Sequence, residues 1–159
     1  MAQPVAVTNT SPVIALAGVG QLHLFDALFE RVLVPFEVWG ELVDKPGAPE
    51  PAELQALRCV GFHPAAPIPP EATLLDPGER AAIALAVATP GAWVLLDEMA
   101  ARRVAEGLRL PVKGTLGILV EGKRRGLVSQ LRPVIERMID NGCRFAPDLV
   151  TMVLSSVGE

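Results

Sequence analysis

The chain has 159 residues, half of them apolar, with aromatics at only 4% and no tyrosine, so one aliphatic core of Leu, Val, Ile and Ala is expected in a single domain. A net charge of −4 argues against holding duplex nucleic acid by bulk electrostatics, which leaves a basic footprint, but admits a nuclease that uses metal ions and a local basic patch. Charge or proline interrupts every apolar run before the ~20 residues a membrane helix needs, and the N-terminus carries no basic region leading into an apolar stretch, so a cytoplasmic protein without signal peptide is expected.

The segment "PVAVT" reads as a short buried strand running into Thr8-Asn9-Thr10-Ser11-Pro12. A helix follows at once in "SPVIALAGVG", with Ser11 as the expected cap and Pro12 in the first turn. "QLHLFDALFE" is a second short helix, "RVLVP" a strand closed by Pro35, and "FEVWGELVDK" a helix ended by Pro46-Gly47. After the loop "PGAPEP", "AELQALRCVG" reads as another helix, and the proline-bearing "FHPAAPIPPEATLL" as extended loop or edge strand. "DPGERAAIALAVATPG" is the sharpest helix signal, with Asp76 as the expected cap, Pro77 in the first turn and Glu79 near the capping-box position. "AWVLLD" is a buried strand, "EMAARRVAEGL" a helix and "LPVKG" a short strand. "TLGILVEGKRRG", "SQLRPVIERMIDNG" and "DLVTMVLSSVG" complete the chain as three helices over about residues 114–157, packed on the domain or forming an interface. Strands alternating with helices predict an α/β protein of three layers, α/β/α, around a central parallel sheet. Cys59 and Cys143 lie far apart with no C-x-x-C or Cys/His cluster, as for thiols in a reducing compartment, and His23 and His63 lack partners at metal-ligand spacing.

Ligands of an open parallel sheet bind outside the carboxyl ends of its strands. The first strand delivers Thr8, Asn9, Thr10 and Ser11 there, and "AWVLLD" delivers Asp97 with Glu98 behind it. Glu41, amid the apolar residues of "VPFEVWGELV", and Glu79, in a helix first turn, are two further candidates. Each acid taken singly has an adequate structural role; a first-turn acid such as Glu79 complements the helix dipole. Jointly they suit metal-assisted phosphodiester hydrolysis, in which Mg²⁺ or Mn²⁺ takes oxygen ligands, lowers the pKa of a water and stabilises the leaving oxygen. No P-loop or GxGxxG sequence supports nucleotide-cofactor chemistry, and neither histidine follows a strand end where a serine–histidine pair could form.

The ordered pieces "VTNTSPVIALA", "RVLVPFEVWGELV", "DPGERAAIALA", "VLLDEMAARRVAEGLRLPVKGTLGIL" and "KRRGLVSQLRPVIERMIDNGCRF" resemble the PIN-domain family, the fold of many metal-dependent ribonucleases, including toxins of bacterial toxin–antitoxin pairs. The resemblance implies four site positions, which fall here on Asn9, Glu41, Glu79 and Asp97, with Glu41, Glu79 and Asp97 as ligands of Mg²⁺ or Mn²⁺. It implies that Thr10, Ser11 and Thr115 position water or phosphate. The family has an acid where this chain has Asn9; an amide oxygen can coordinate a hard cation but brings no charge. Asp26, Asp76 and Glu98 are spare acids nearby in sequence, Glu98 being the best placed to substitute.

Arg102 and Arg103, one turn beyond Asp97, are expected to contact phosphate, whereas Lys123-Arg124-Arg125 reads as a favourable charge at a helix C-terminus. No aromatic residues alternate with the basic ones, so no base-stacking surface is visible. Leu22, Leu24, Phe25, Leu28, Phe29, Phe36 and Trp39 are more apolar side chains than a small domain is expected to bury, and Leu149, Val150, Met152, Val153 and Leu154 offer a second apolar face. The resemblance to PIN toxins implies a homodimer, an antitoxin-like partner over the acidic cleft and RNA as substrate. The alternative to a ribonuclease is a catalytically impaired PIN-like protein that binds RNA or a protein.

Overall fold

A computed structural model describes residues 3–64 and 66–159. Its centre is a sheet of β1 (Val5–Thr8), β2 (Arg31–Pro35), β3 (Val60–His63), β4 (Trp93–Leu95) and β5 (Val112–Lys113), in the order β3-β2-β1-β4-β5. All four pairings are parallel, with Val7 opposite both Leu33 and Val94. Strands this apolar from end to end suit a sheet covered on both faces.

The two-residue period of a strand then divides the core. Ala6, Val32, Val34 and Leu95 face one layer, built from α1 (Thr10–Ala17), α2 (Leu24–Leu28), α3 (Phe36–Asp44), α4 (Pro51–Gln55), α7 (Thr115–Arg124), α8 (Arg132–Asp140) and Leu154 of α9 (Pro147–Ser156). Val7, Leu33, Val94 and Leu96 face the other, built from α5 (Pro77–Ala88) and α6 (Met99–Gly107). The expected three-layer α/β/α arrangement is therefore observed. Among the described residues no helix is long and apolar enough to cross a membrane.

Two expectations are corrected. The helix predicted over "AELQALRCVG" stops at Gln55, and its last two residues, Val60 and Gly61, instead join Phe62 and His63, from the segment expected as loop or edge strand, as the edge strand of the sheet. The open edge of β2 decides this: the Val32 N–H donates to the Cys59 carbonyl at 2.7 Å, and Val32 to Pro35 pair with Val60 to His63. The apolar surplus of the first helices is not a surface either. Leu22, Leu24, Phe25, Leu28 and Phe29 are buried and Trp39 is half-buried, leaving Phe36 exposed. The reason is close approach by α7, where a Cβ on Gly122 would lie 3.1 Å from Leu24 Cδ2. On α9, Leu149 and Met152 are exposed as expected, while Leu154 is buried.

The Glu159 side chain fixes the end of α7 to the start of α8. It pairs with Lys123 Nζ at 2.6 Å and accepts the Leu131 and Arg132 N–H groups at 2.7 and 3.0 Å. These bonds hold its pKa down to about 2.

Candidate active site

The first turns of α1, α5 and α7, like those of any helix, present N–H groups with no intrahelical partner. Neither expected cap performs its role. The residue before α1 is Asn9, with Ser11 exposed inside the first turn, and neither Asn9 nor Asp76 makes a side-chain capping bond. Carboxylates from other elements do the work instead. Glu41, on α3, accepts the Gly78 N–H in the first turn of α5 at 2.9 Å and the Thr10 hydroxyl in the first turn of α1 at 2.6 Å. Asp97, beyond β4, accepts both the N–H of Thr115, at 2.8 Å, and its hydroxyl, at 2.6 Å, at the start of α7. A Cβ at Gly78 would stand 2.7 Å from each Glu41 oxygen, so a larger residue there would displace that carboxylate.

A cleft of about 320 Å³ opens between these helix ends, lined by Asn9, Thr10, Ser11, Glu41, Lys45, Asp76, Glu79 and Glu98. Among the described residues the buried polar side chains are Thr8, Asn9, Thr10, Glu79 and Thr115, so burial of polarity is concentrated here. Glu79 is 7% exposed. Burial first, then a hydrogen bond with Asp76 and the charges of Asp76, Glu98 and Glu41, raise its pKa from 4.5 to about 7. No ion pair neutralises the cluster among the described residues; the ion pairs found are Lys123–Glu159 and Arg125–Glu121. Asn9, 5% exposed, has an Oδ1 that is buried without a hydrogen-bond partner. Such an atom carries a desolvation penalty until something binds it.

The donor set is therefore all oxygen, acidic and incompletely satisfied, which fits a hard cation such as Mg²⁺ or Mn²⁺. Among the described residues, however, no three His, Cys, Asp or Glu side chains converge closely enough to hold an ion by themselves. Asn9, Thr10, Ser11, Glu41 and Glu79 do share the cleft, joined by the spare acids Asp76 and Glu98. Asp97 lies beside it, lining an adjoining cavity of about 340 Å³ that also includes Ser11 and Glu98. The third spare acid, Asp26, is elsewhere, accepting the Arg58 and Cys59 N–H groups next to β3.

The two arginines separate. Arg102 donates to the Leu96 carbonyl at 2.9 Å and lies against Gly114, where a Cβ would be 2.7 Å from its guanidinium, so it braces the strand end that carries Asp97. Arg103 is exposed, and no hydrogen bond or ion pair among the described residues ties it to the acids. Among the lining residues not legible beforehand are Lys45, Asn141, Cys143, Arg144 and Phe145. Lys45 carried a signal, standing four residues beyond Glu41 at the end of the same helix. The others arrive through the turn after α8, where Asn141 Nδ2 donates to the Gly18 carbonyl at 3.0 Å. There, burial and the nearby charge of Asp97 push the Cys143 thiol pKa up.

A family model described as a PIN domain matches residues 5–159, almost the whole chain, so the chain belongs to the PIN-domain family. The family is nuclease-like in general, generally uses divalent metal ions and binds RNA, and is often paired with antitoxins. No curated protein matches the chain.

Proposed function

We propose that this PIN-domain protein is a Mg²⁺- or Mn²⁺-dependent ribonuclease that cleaves RNA endonucleolytically. The observation that carries the reading is the buried, unpartnered Oδ1 of Asn9, a residue that lines a cleft of carboxylates with no ion pair among the described residues to neutralise them. Glu41, Glu79 and Asp97 would hold the metal, with Asn9 adding a neutral oxygen. The bound ion supplies Lewis acidity and a water of lowered pKa.

The chain's own groups have separable tasks. Thr10 and Thr115 orient the Glu41 and Asp97 carboxylates through the hydroxyl bonds described above. Ser11, exposed between the cleft and its neighbouring cavity, is free to bond a phosphate oxygen or a water. Lys45 and Arg103 are cations available to the phosphate, while Arg102 keeps the Asp97 turn in place. Hydrolysis forms a bond from a water oxygen to phosphorus and breaks the bond from phosphorus to a ribose oxygen. With its pKa raised to about 7, Glu79 would release a proton on binding the metal below about that pH.

A second reading, a catalytically impaired protein that binds RNA or a protein partner, draws on one specific observation. The residue at position 9 is an amide, and it removes one negative charge from the centre of the cluster. A toxin-like pairing with an antitoxin, and a homodimer using the exposed Leu149 and Met152 of α9, are compatible with either reading.

Calorimetric titration with Mn²⁺, run beside cleavage of end-labelled RNA, separates the two. The ribonuclease reading expects Mn²⁺ binding and Mn²⁺-dependent cleavage, with cleavage abolished in Asp97→Asn. Binding without cleavage, converted to cleavage by Asn9→Asp, identifies the impaired protein. Neither binding nor cleavage across single-stranded and structured RNAs would overturn the enzymatic reading.

A further inference from the structure

We propose that the groove built by Cys143, Arg144 and Phe145 is a nucleobase subsite. It takes the base of the nucleotide next to the phosphate held at the acids, with Phe145 as the stacking face and Arg144 as the backbone contact. The proposal deepens the ribonuclease reading and rests on it for the position of the phosphate.

Three cavities form one track. The acid cleft shares Ser11 and Glu98 with the cavity of about 340 Å³ beside Asp97. That cavity shares Cys143, Arg144 and Phe145 with a third, of about 470 Å³, whose other lining residues are Ile139, Pro147 and Val150. The lining changes in character along the way. It is carboxylate, hydroxyl and amide at the sheet edge, then mixed beside Ile14, Ala15 and Asn141, then apolar against α8 and α9. A nucleotide grades in the same order, from anionic phosphate through a hydroxylated sugar to a flat apolar-faced base.

Charge supports RNA as the occupant. Arg144 lines both outer cavities and is exposed, and no ion pair among the described residues consumes it, so a cation stands where the backbone leaves the acids. Phe145 is half-buried, held against the main core on one side and open to the groove on the other. An aromatic ring so fixed loses little freedom when a base stacks on it, and stacking of this kind tolerates any base. The side-chain amide of Asn141 is committed to Gly18, which anchors the turn that presents both residues.

The test is binding, not turnover. Fluorescein-labelled hexa-adenylate RNA and the matching abasic sugar-phosphate hexamer are titrated in Ca²⁺ by fluorescence anisotropy. The wild type should prefer hexa-adenylate. Phe145→Leu should weaken hexa-adenylate roughly 5- to 150-fold, the span of one base–aromatic stack, and leave the abasic polymer unchanged. Phe145→Trp, which keeps an aromatic face if leucine disturbs folding, should retain or improve the preference. Arg144→Gln should weaken both polymers alike and reduce the salt dependence of binding.

Equal affinity of the wild type for the two polymers, or equal losses in Phe145→Leu, would overturn the subsite. So would unchanged RNA binding in Phe145→Leu accompanied by a dimer-to-monomer shift in sedimentation, which would give the groove to a second copy of the chain. The two levels fail separately. A wild type that does not cleave but keeps the Phe145-dependent preference loses only the ribonuclease reading, and one that cleaves without that preference loses only the subsite.

Discussion

Two corners of the same sheet edge hold acids in opposite states. At one, Asp97 receives both the N–H and the hydroxyl of Thr115, and so each of its oxygens has a short bond. At the other, burial and the charges of Asp76, Glu98 and Glu41 raise the pKa of Glu79 to about 7, and the same cleft is lined by Asn9, whose amide oxygen has no partner. The first corner is complete within the protein; the second is short of donors and of positive charge. A cation would gain less at the first, where it would share Asp97 with Thr115, than at the second, where it would satisfy several groups at once. Glu41 stands between, already satisfied by Gly78 and Thr10 and yet part of the crowded cluster.

The largest effect that separates the corners is expected from Asp97→Asn. The amide that replaces the carboxylate keeps one acceptor and turns an NH₂ group towards Thr115, which is fully buried. Losing a charged hydrogen bond and leaving a donor unmatched costs ~1–3 kcal/mol. For a chain of this size that lowers the melting temperature by about 2–12 °C. Circular-dichroism melts in EDTA measure it, and a variant melting with the wild type would mean that the Asp97 corner is not structurally complete.

Asn9→Asp should act with opposite signs in the absence and presence of metal. Without metal, a fifth carboxylate joins Glu41, Asp76, Glu79 and Glu98 and the melting temperature falls. With Mn²⁺ the added ligand charge raises affinity, and the melting temperature rises with metal concentration as mass action requires. A variant indifferent to Mn²⁺ would place the missing charge elsewhere. Gly78→Ala is a milder probe of the link between corners. The new Cβ meets only the tip of the flexible Glu41 side chain, so folding should change little, within about 1 kcal/mol. Displacement of that carboxylate from α5 should nonetheless weaken Mn²⁺ binding, measured by calorimetry.

Most of the layering was legible in the sequence, because continuous apolar strands between amphipathic helices have few other ways to pack. The exception is the start of β3: Phe62 and His63 fell in the segment expected as loop or edge strand, but Val60 and Gly61 were lost to a helix because a short edge strand is defined by pairing with β2, which no local pattern records. At the site, strand ends and first turns are local features, so Asn9, Thr10, Glu79 and Asp97 could be placed from sequence, and Glu41 through the order of elements. Their division into two corners could not. It depends on which helix terminus each carboxylate reaches across the fold, Glu41 to α5 and Asp97 to α7. Arg102 and Arg103 show the same limit, since neighbours on a helix diverge in direction and only one turns back to the Leu96 carbonyl. Arg144 and Phe145 enter from a turn some fifty residues beyond Asp97, with no signal of their own.

The smallest expected effect is the pH dependence of the metal-free protein, and here too the crowded corner stands out. Glu79 titrates at about 7 in the folded chain against 4.5 ordinarily, so between those values the folded state binds more protons than the unfolded one. Stability must then fall as pH rises from about 4.5 through about 7. Glu159 has the opposite sign: held down to about 2, it contributes stability above 4.5 that is lost as pH falls towards 2. Melting temperature against pH should accordingly decline on both sides, and Glu79→Gln should flatten the upper side alone. Mn²⁺ should flatten it as well, because the cation takes the place of the proton, with a proton released on binding below about pH 7. If the upper decline survives in Glu79→Gln, the excess charge is borne by Asp76 or Glu98, and the unsatisfied corner is centred nearer the mouth of the cleft than its buried wall.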